Sequence, residues 1–477
     1  MSPIVASFLY VGLVVWLFRR DLKERPNVTN ALWLPFFWVF ISGSRFISGW
    51  LAIFGINLGA VNVEEGSPID AVFFAVIIGW GIHVLIQRRV TLNAFVRQNR
   101  WVAIYLFYCL VAITWSDFPF VAFKRWIKLF GQPVMVLVVL TEPDPLEALT
   151  RLLKRCAYVL LPISILFIKY YPALGRGFEP WSGLPAYTGV TTNKNSLGCD
   201  CFILGLFLTW HFMQVWKLEK GKGRRNELLL CVGLLWMTGW LLNQAHSSTS
   251  TGALTLGIIL LLFTGLKFLD RRNMGAYLMT ILAIVVTAET LFGIHDLIIK
   301  ALGRNSTLTG RTEIWQALLH WPLNPVLGTG FESFWLGERV EKLDEVFSGL
   351  PLNEAHNGYL ETYINLGLLG VFFLAVMILA TYLKGLRSLV GDFEFGRFRI
   401  AYLVAFLLYN WTEAAFRTHA TPFFVFFLIA IDYQTQAAVA PTFAPAQDLA
   451  SGGRPFPGPA GVVAKGLSRD LPAGQGT

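Results

Sequence analysis

Residues 353–370 read NEAHNGYLETYINLGLLG, a polar segment that turns almost wholly apolar. His356 and Asn357 stand at the start of the apolar run, with Glu361 one helical turn further in. A helix N-terminus lowers a histidine's pKa and favours nearby anions, which suits a neutral imidazole taking a proton from a hydroxyl. The same residue types also suit a polar cap at a membrane interface, and both roles stay open at this point. Gly367 and Gly370 follow on the expected helix, where glycine costs about 1 kcal/mol relative to alanine. Small residues let membrane helices approach closely, so packing is their expected role. Further on, Glu413 in YNWTEAAFRTHA ends another apolar run, with Arg417 and His419 behind it. Glu413 and Arg417 have the i,i+4 spacing of a helical ion pair.

Several cations lie at the edges of apolar runs or inside them: Arg45, Lys124, Arg125, Lys128, Arg176, Lys194, Arg304, Arg311 and Arg417. A charge at membrane depth costs at least about 2.5–3.5 kcal/mol, so it usually lines a polar cavity. Lys124 and Lys128, on one helix face, can instead snorkel to the interface. Cations of this kind suit an anionic lipid head, above all a diphosphate, which guanidinium groups bind bidentately. Arg311 is the foremost candidate for that contact, with Lys194, Arg45, Arg176 and Arg417 as further members. Asn357, Glu361 and Glu413 are the supporting residues. No phosphate-cradling P-loop is present, and no outward Asp-x-Asp for a metal-bound nucleotide sugar. Cys199-Asp200-Cys201 lacks partner ligands, so no metal and no cofactor are expected. Cys109, Cys156, Cys199, Cys201 and Cys231 all fall in or beside apolar runs, which predicts packing rather than disulfides.

What positions these residues is a membrane fold. The 477-residue chain is 55% hydrophobic and only 14% charged, against about a quarter charged in soluble proteins. Its apolar runs are long enough to span about 30 Å of hydrocarbon and lack the period-two alternation of barrel strands. The net charge of +9 is spread over short loops with no basic patch interleaved with aromatics, which argues against nucleic acid. Basic residues recur in every second loop: 19–25, 88–100, 151–155, 217–225, 267–272 and 384–399. The positive-inside rule puts these six loops in the cytoplasm. The fold class is therefore all-α, a polytopic membrane helical bundle of about 13 spans (range about 11–13) with a large, partly helical outer loop. Residues 1–293 carry the N-terminal spans and 294–356 the outer loop. Residues 357–436 carry the C-terminal spans, and 437–477, rich in Pro, Gly and Ala, read as a disordered cytoplasmic tail. His356 then faces outward.

The spacing His356-Asn357, nine residues, Gly367, two residues, Gly370 resembles the signature of the O-antigen ligase and Wzy-type polymerase family of bacterial envelope glycan assembly. The likeness is strongest to exopolysaccharide polymerases of the ExoQ type. ITWSDFP (113–119), TTNKNSLG (191–198), LTGRTEIW (308–315), LGTGFESFW (327–335) and NWTEAAF (410–416) resemble its accompanying blocks, and the likeness covers roughly residues 30–436. One block departs: HSSTSTGAL (246–254) has no cation where many members carry one, leaving a phosphate contact to Lys194, Arg176 or the hydroxyls. The resemblance implies metal-independent, inverting glycosyl transfer from a polyprenyl-diphosphate-linked oligosaccharide to a growing glycan acceptor. It places the active site on the periplasmic face of the bacterial inner membrane, with His356 as base. Membrane lipids, a chain-length regulator and export proteins are the further partners it suggests. A ligase that moves finished glycan to a lipid or protein acceptor shares this chemistry. A transporter or flippase would want paired halves and a midplane site, and no repeated half is seen.

Overall fold

The computed structural model describes residues 1–56, 66–179, 183–292, 311–347 and 352–433. Arg304 and the 437–477 tail lie outside the described residues, as does all of 293–310. The described chain is an all-α, polytopic membrane protein, and Met1–Thr435 forms one compact unit. Helices lie in the apolar runs, among them Pro3–Lys23, Pro68–Gln87, Pro119–Leu140, Pro145–Tyr170, Lys194–Lys217 and Gly358–Gly391. Six helices are long and apolar enough to cross a membrane by themselves. Asn30–Ser42 and Ile47–Ile53 make a seventh if that pair, bent by 67°, is one span. The rest are shorter or carry more charge. Lys154, Arg155, Arg397 and Arg399, for instance, are buried within the Pro145–Tyr170 and Phe393–Thr412 helices.

Burial follows the lipid and protein faces. Pro3–Lys23 is a peripheral helix whose Phe8, Leu9 and Trp16 are exposed, the face a bilayer covers. Lys194–Lys217 is central, with Phe202, Phe207 and Trp210 fully buried. The Gly358–Gly391 helix packs on Phe393–Thr412 and on Arg100–Val111, and Thr421–Ala430 packs on Pro119–Leu140.

The six basic loops gather at one end of the bundle. Arg20 and Lys154 pair with Glu227, Arg151 with Asp21 (2.9 Å), and Arg88 with Glu142 (2.5 Å). Lys384 donates to Asn99, Lys217 pairs with Glu394, and Arg271 stacks over Phe393. Asp117, Arg125, Glu354 and Glu413 belong to the opposite end. Basic loops that alternate along the chain thus meet at one end of the bundle.

At that opposite end, part of the 294–356 segment folds on its own small core. Helix Arg311–Leu319 supplies Ile314 and Leu318, helix Glu338–Val346 supplies Leu343, Phe334, Leu352 and Ala355 join them, and Ile364 anchors the cluster to the Gly358–Gly391 helix. Two short antiparallel strands, Arg176–Phe178 and Pro185–Tyr187, pair in the segment between Pro145–Tyr170 and Lys194–Lys217, where no strand was expected.

Gly367 corrects the expectation of simple helix packing. It is not helical: its φ is +64°, and the helix breaks there. The GTG segment docks into the break. Thr329 N–H donates to the Ile364 carbonyl and Gly330 N–H to Asn365, while Leu368 N–H returns a bond to Pro325. A Cβ at Gly367 would run into the Val326 carbonyl. Glycine is needed both for the left-handed backbone and for this backbone-to-backbone approach.

Candidate active site

Glu354 and His356 lie on the loop entering the Gly358–Gly391 helix. Asn357 is the N-cap of that helix, its Oδ1 accepting from the backbone N–H groups of Tyr359 and Leu360, both at 3.0 Å. The capping role left open for His356 therefore belongs to its neighbour. Asn357 Nδ2 also donates to the Trp411 carbonyl (3.1 Å), tying the motif to the end of the Phe393–Thr412 helix. Glu361 is buried and accepts from Trp335 Nε1 (2.8 Å), Ala355 N–H (2.9 Å) and Asn365 Nδ2 (3.1 Å). It holds the loop in place and is fully engaged in doing so.

Two carboxylates and two guanidinium groups surround His356. Its Nδ1 lies 2.9 Å from Glu354 Oε1 and 3.8 Å from Glu413 Oε2. Nδ1 has no well-aligned hydrogen bond, so the contact is an ion pair in the first instance. Arg417 donates to Glu354 (2.8 Å) and Arg311 to Glu413 (2.7 Å). The i,i+4 pair expected between Glu413 and Arg417 does not form. Glu413 is the C-cap with extended backbone (φ −139°, ψ 148°), so the helical spacing no longer applies, and each residue finds a partner elsewhere. Trp315 Nε1 donates to the Ala355 carbonyl (2.9 Å), which sets the Arg311–Leu319 helix against the motif.

The expectation of a neutral imidazole with a lowered pKa is overturned. Burial favours the neutral ring, but the contacts with Glu354 and Glu413 outweigh it and raise the His356 pKa to about 9. The helix N-terminus is already satisfied by Asn357, and carboxylates rather than helix N–H groups face the ring. Burial works against the charge on Glu354 as well, yet His356, Arg417 and Arg311 hold its carboxyl well below the usual range. His419 goes the other way: burial first, then Lys128, Arg125 and Arg417, push its pKa well below the ordinary value, so its ring is neutral.

Two cavities of about 230 Å³ each border this cluster. The first is lined by Ser42, Ser44, Asn193, Ser196 and Asp200, and meets the cluster at Glu354 and Glu413. The second is lined by Lys124, Arg125, Lys128 and Arg417, with Glu332, Glu361 and His419. His419 borders both. Six non-glycine residues among those described have positive φ, and three of them are here: Glu332 (44°), His356 (49°) and His419 (74°). Such backbone is uncommon outside glycine, and strain of this kind concentrates at functional sites.

The cations expected at a diphosphate separate into groups. Arg417 is in the second cavity. Arg311 holds Glu413 and is not part of that lining. Arg45 lines the first cavity, but its guanidinium donates to the carbonyls of Leu174 (2.6 Å), Val190 and Thr191 (both 3.2 Å). Lys194 pairs with Glu179, and Arg176 donates to the Ile168 carbonyl and stacks over Tyr187. The serine-rich block caps its own helix through Ser247 and bonds Thr249 to Thr412 (2.5 Å). Glu354 and Glu332 were not singled out from sequence. Glu354 sits two residues before His356 in NEAHNG, where a carboxylate can reach the ring.

Residues 231–375 match the O-antigen ligase family model. The exopolysaccharide production protein ExoQ of Rhizobium meliloti (strain 1021) is 26% identical over 320 residues, covering 66% of this chain and 71% of ExoQ. Both matches support the resemblance to the O-antigen ligase family and to ExoQ-type proteins. The segment matched to the O-antigen ligase model contains Arg311, Glu354 and His356, whereas Glu413, Arg417, Asp200 and the Lys124–Lys128 cations lie outside it. The blocks that resembled the family by sequence also meet in space. Trp115 Nε1 donates to the Leu327 carbonyl (3.2 Å), Ser116 and Ser333 share a hydroxyl bond (2.6 Å), and Asn365 Oδ1 accepts from Ser333 N–H (2.9 Å).

Proposed function

We propose that this protein is a bacterial envelope glycan polymerase. It joins polyprenyl-diphosphate-linked repeat units by inverting glycosyl transfer on the periplasmic face of the inner membrane. One observation carries the reading: the carboxylates and guanidinium around His356 border two cavities, Glu354 and Glu413 a cavity lined by hydroxyl and amide groups and Arg417 a cavity lined by four cations. The donor diphosphate would occupy the cationic cavity, its charge balanced by Arg417, Arg125, Lys124 and Lys128. The acceptor hydroxyl would approach His356. As its oxygen bonds to the anomeric carbon, its proton passes to the deprotonated form of the imidazole and the diphosphate leaves with the bonding electron pair. Cations that neutralise the leaving group make a general acid unnecessary. Arg311 stays in the proposal as the partner that fixes Glu413 beside the ring.

Glu354, His356 and Glu413 place possible ligand atoms within 4.8 Å of one another. Arg417 and Arg311 already neutralise the two carboxylates, and His356 carries a proton at neutral pH, so the proposed route uses no metal. Purified protein given its lipid-linked oligosaccharide should lengthen it into a ladder, at the same rate with or without a chelator. Transfer of one finished glycan to a different acceptor, with no ladder, would make the protein a ligase, the activity named in the family's description. The production role in the ExoQ relative's name favours polymer formation.

Sidedness has its own test. With the basic loops in the cytoplasm, cysteine at Ser306 should react with an impermeant thiol reagent in intact spheroplasts and cysteine at Ser451 should not. All five native cysteines are free and buried, which keeps the background low. The opposite labelling pattern would invert the topology and move the active site to the cytoplasmic face.

A further inference from the structure

The first cavity contains a carboxylate that the scheme above does not use. Asp200, on the second turn of the Lys194–Lys217 helix, is only 5% exposed and lines this cavity. No cation pairs with it, and its Oδ2 has no hydrogen-bond partner among the described residues. Ser42 Oγ, on the same lining, is likewise buried and unpartnered. Burying a carboxylate is costly unless donors meet it, and orphaned polar atoms of this kind call for a ligand. The backbone leaves room for the Asp200 side chain: Gly43 faces it, and a Cβ there would stand 3.1 Å from Asp200 Oδ1.

The lining indicates what such a ligand is. Ser44, Asn193, Asn195 and Ser196 line the same cavity with hydroxyl and amide side chains, and Tyr409 adds an aromatic ring. The one cation present, Arg45, is occupied by three backbone carbonyls. With the Arg45 N–H groups already donated to backbone carbonyls and with Glu354 and Glu413 alongside, the lining offers a diphosphate little to bind. It suits a molecule rich in hydroxyl donors. We infer that this cavity is a saccharide subsite in which Asp200 accepts hydrogen bonds from sugar hydroxyls and so positions the glycan against His356. The inference rests on the glycosyl-transfer reading of the adjacent cluster. Asp200 is a positioning residue here, since it takes no proton in the reaction.

The test uses full-length protein in nanodiscs, carrying Ser196→Cys as a reporter in the cavity wall and Cys199→Ala to remove the native thiol there. The probe is the lipid-free repeat-unit oligosaccharide released from the strain's own polysaccharide. It should slow methanethiosulfonate labelling of the reporter severalfold, and inorganic pyrophosphate should not. Asp200→Leu should abolish the protection and raise the KM for acceptor glycan about tenfold or more with kcat little changed. Asp200→Asn, which keeps an acceptor oxygen, should retain part of both. Gly43→Ala, which crowds the carboxylate without removing it, should weaken protection in a chain whose thermal melting is unchanged. Equal labelling with and without the oligosaccharide would overturn the subsite, as would protection that survives Asp200→Leu. Protection by pyrophosphate alone would reassign the cavity to the diphosphate. Protection without glycan lengthening by the same preparation would count against the polymerase reading and leave the subsite standing. Lengthening without protection would do the reverse.

Discussion

Replacing His356 with alanine should reduce polymer formation about 10²–10⁴-fold, the usual contribution of a positioned general base, while leaving membrane insertion and donor binding intact. Glutamine should rescue little, because its amide can hydrogen-bond to Glu354 but cannot accept the hydroxyl proton. The alternative, that His356 only caps a helix, is already weakened by Asn357, whose side chain fills the cap. Polymer yield and membrane protein level, measured together for His356→Ala and His356→Gln, separate the roles. Full polymer from His356→Gln would remove the histidine from catalysis.

The pH dependence has a definite sign. Contacts with Glu354 and Glu413 raise the His356 pKa from 6.5 to about 9. The ring is therefore protonated at neutral pH, and the base form grows as pH rises. Turnover should climb with pH and level off near 9. Glu354→Gln removes the nearer carboxylate, so the rising limb should move toward the ordinary histidine range, with a lower plateau because the ring loses its orienting partner. By linkage, the ion pair stabilises the fold fully below about 6.5, and that contribution is lost as pH rises through about 9. A turnover that is flat at low pH and falls through 9 would show that the protonated form works, making His356 a proton donor to the leaving group.

Much of this was legible in the sequence because membrane folds write themselves in long-range composition. The apolar runs located the helices, and the alternating basic loops foretold which ends would meet. Arg20, Lys154 and Glu227 do meet, although Arg20 and Glu227 are 207 residues apart. The motif spacing was legible for a related reason. His356 must enter a helix that Asn357 caps, and Gly367 must break that same helix so that the GTG segment can dock. Both demands are local and leave fixed spacings behind.

Pairing choices were not legible. Glu413 and Arg417 had the spacing of a helical pair, but the helix ends at Glu413, and the extended backbone sends the two side chains to partners 102 and 63 residues away. The ionisation of His356 depends on which groups face it. Glu354 was in plain view two residues upstream, but its direction is set by the left-handed backbone at His356 and by Arg417. Arg45, Arg176 and Lys194 were reasonable anion ligands by type and depth. What occupies Arg45 here is a set of backbone carbonyls from Leu174, Val190 and Thr191, and those carbonyls carry no side-chain signature.

Arg417 should prove the most sensitive cation. It lines the cationic cavity and at the same time donates to Glu354. Arg417→Ala should therefore act twice. It removes a charge-assisted contact to the diphosphate, worth about 1.5–3 kcal/mol or roughly 10–100-fold in donor use. It also leaves Glu354 more negative toward His356, which shifts the alkaline limb of the pH profile upward. Lys128→Ala should act only once. Lys128 lines the same cavity and stacks over Phe74, and no ion pair links it to Glu354, so its loss should weaken donor binding with the limb unmoved. Arg417→Lys keeps the charge but loses the planar fork, so it should recover the limb better than it recovers donor affinity. Donor KM and the pH midpoint, measured for the three variants, distinguish a shared role from a purely electrostatic one. An unmoved midpoint in Arg417→Ala would separate the diphosphate cavity from the histidine, and wild-type donor KM in both alanine variants would place the diphosphate elsewhere.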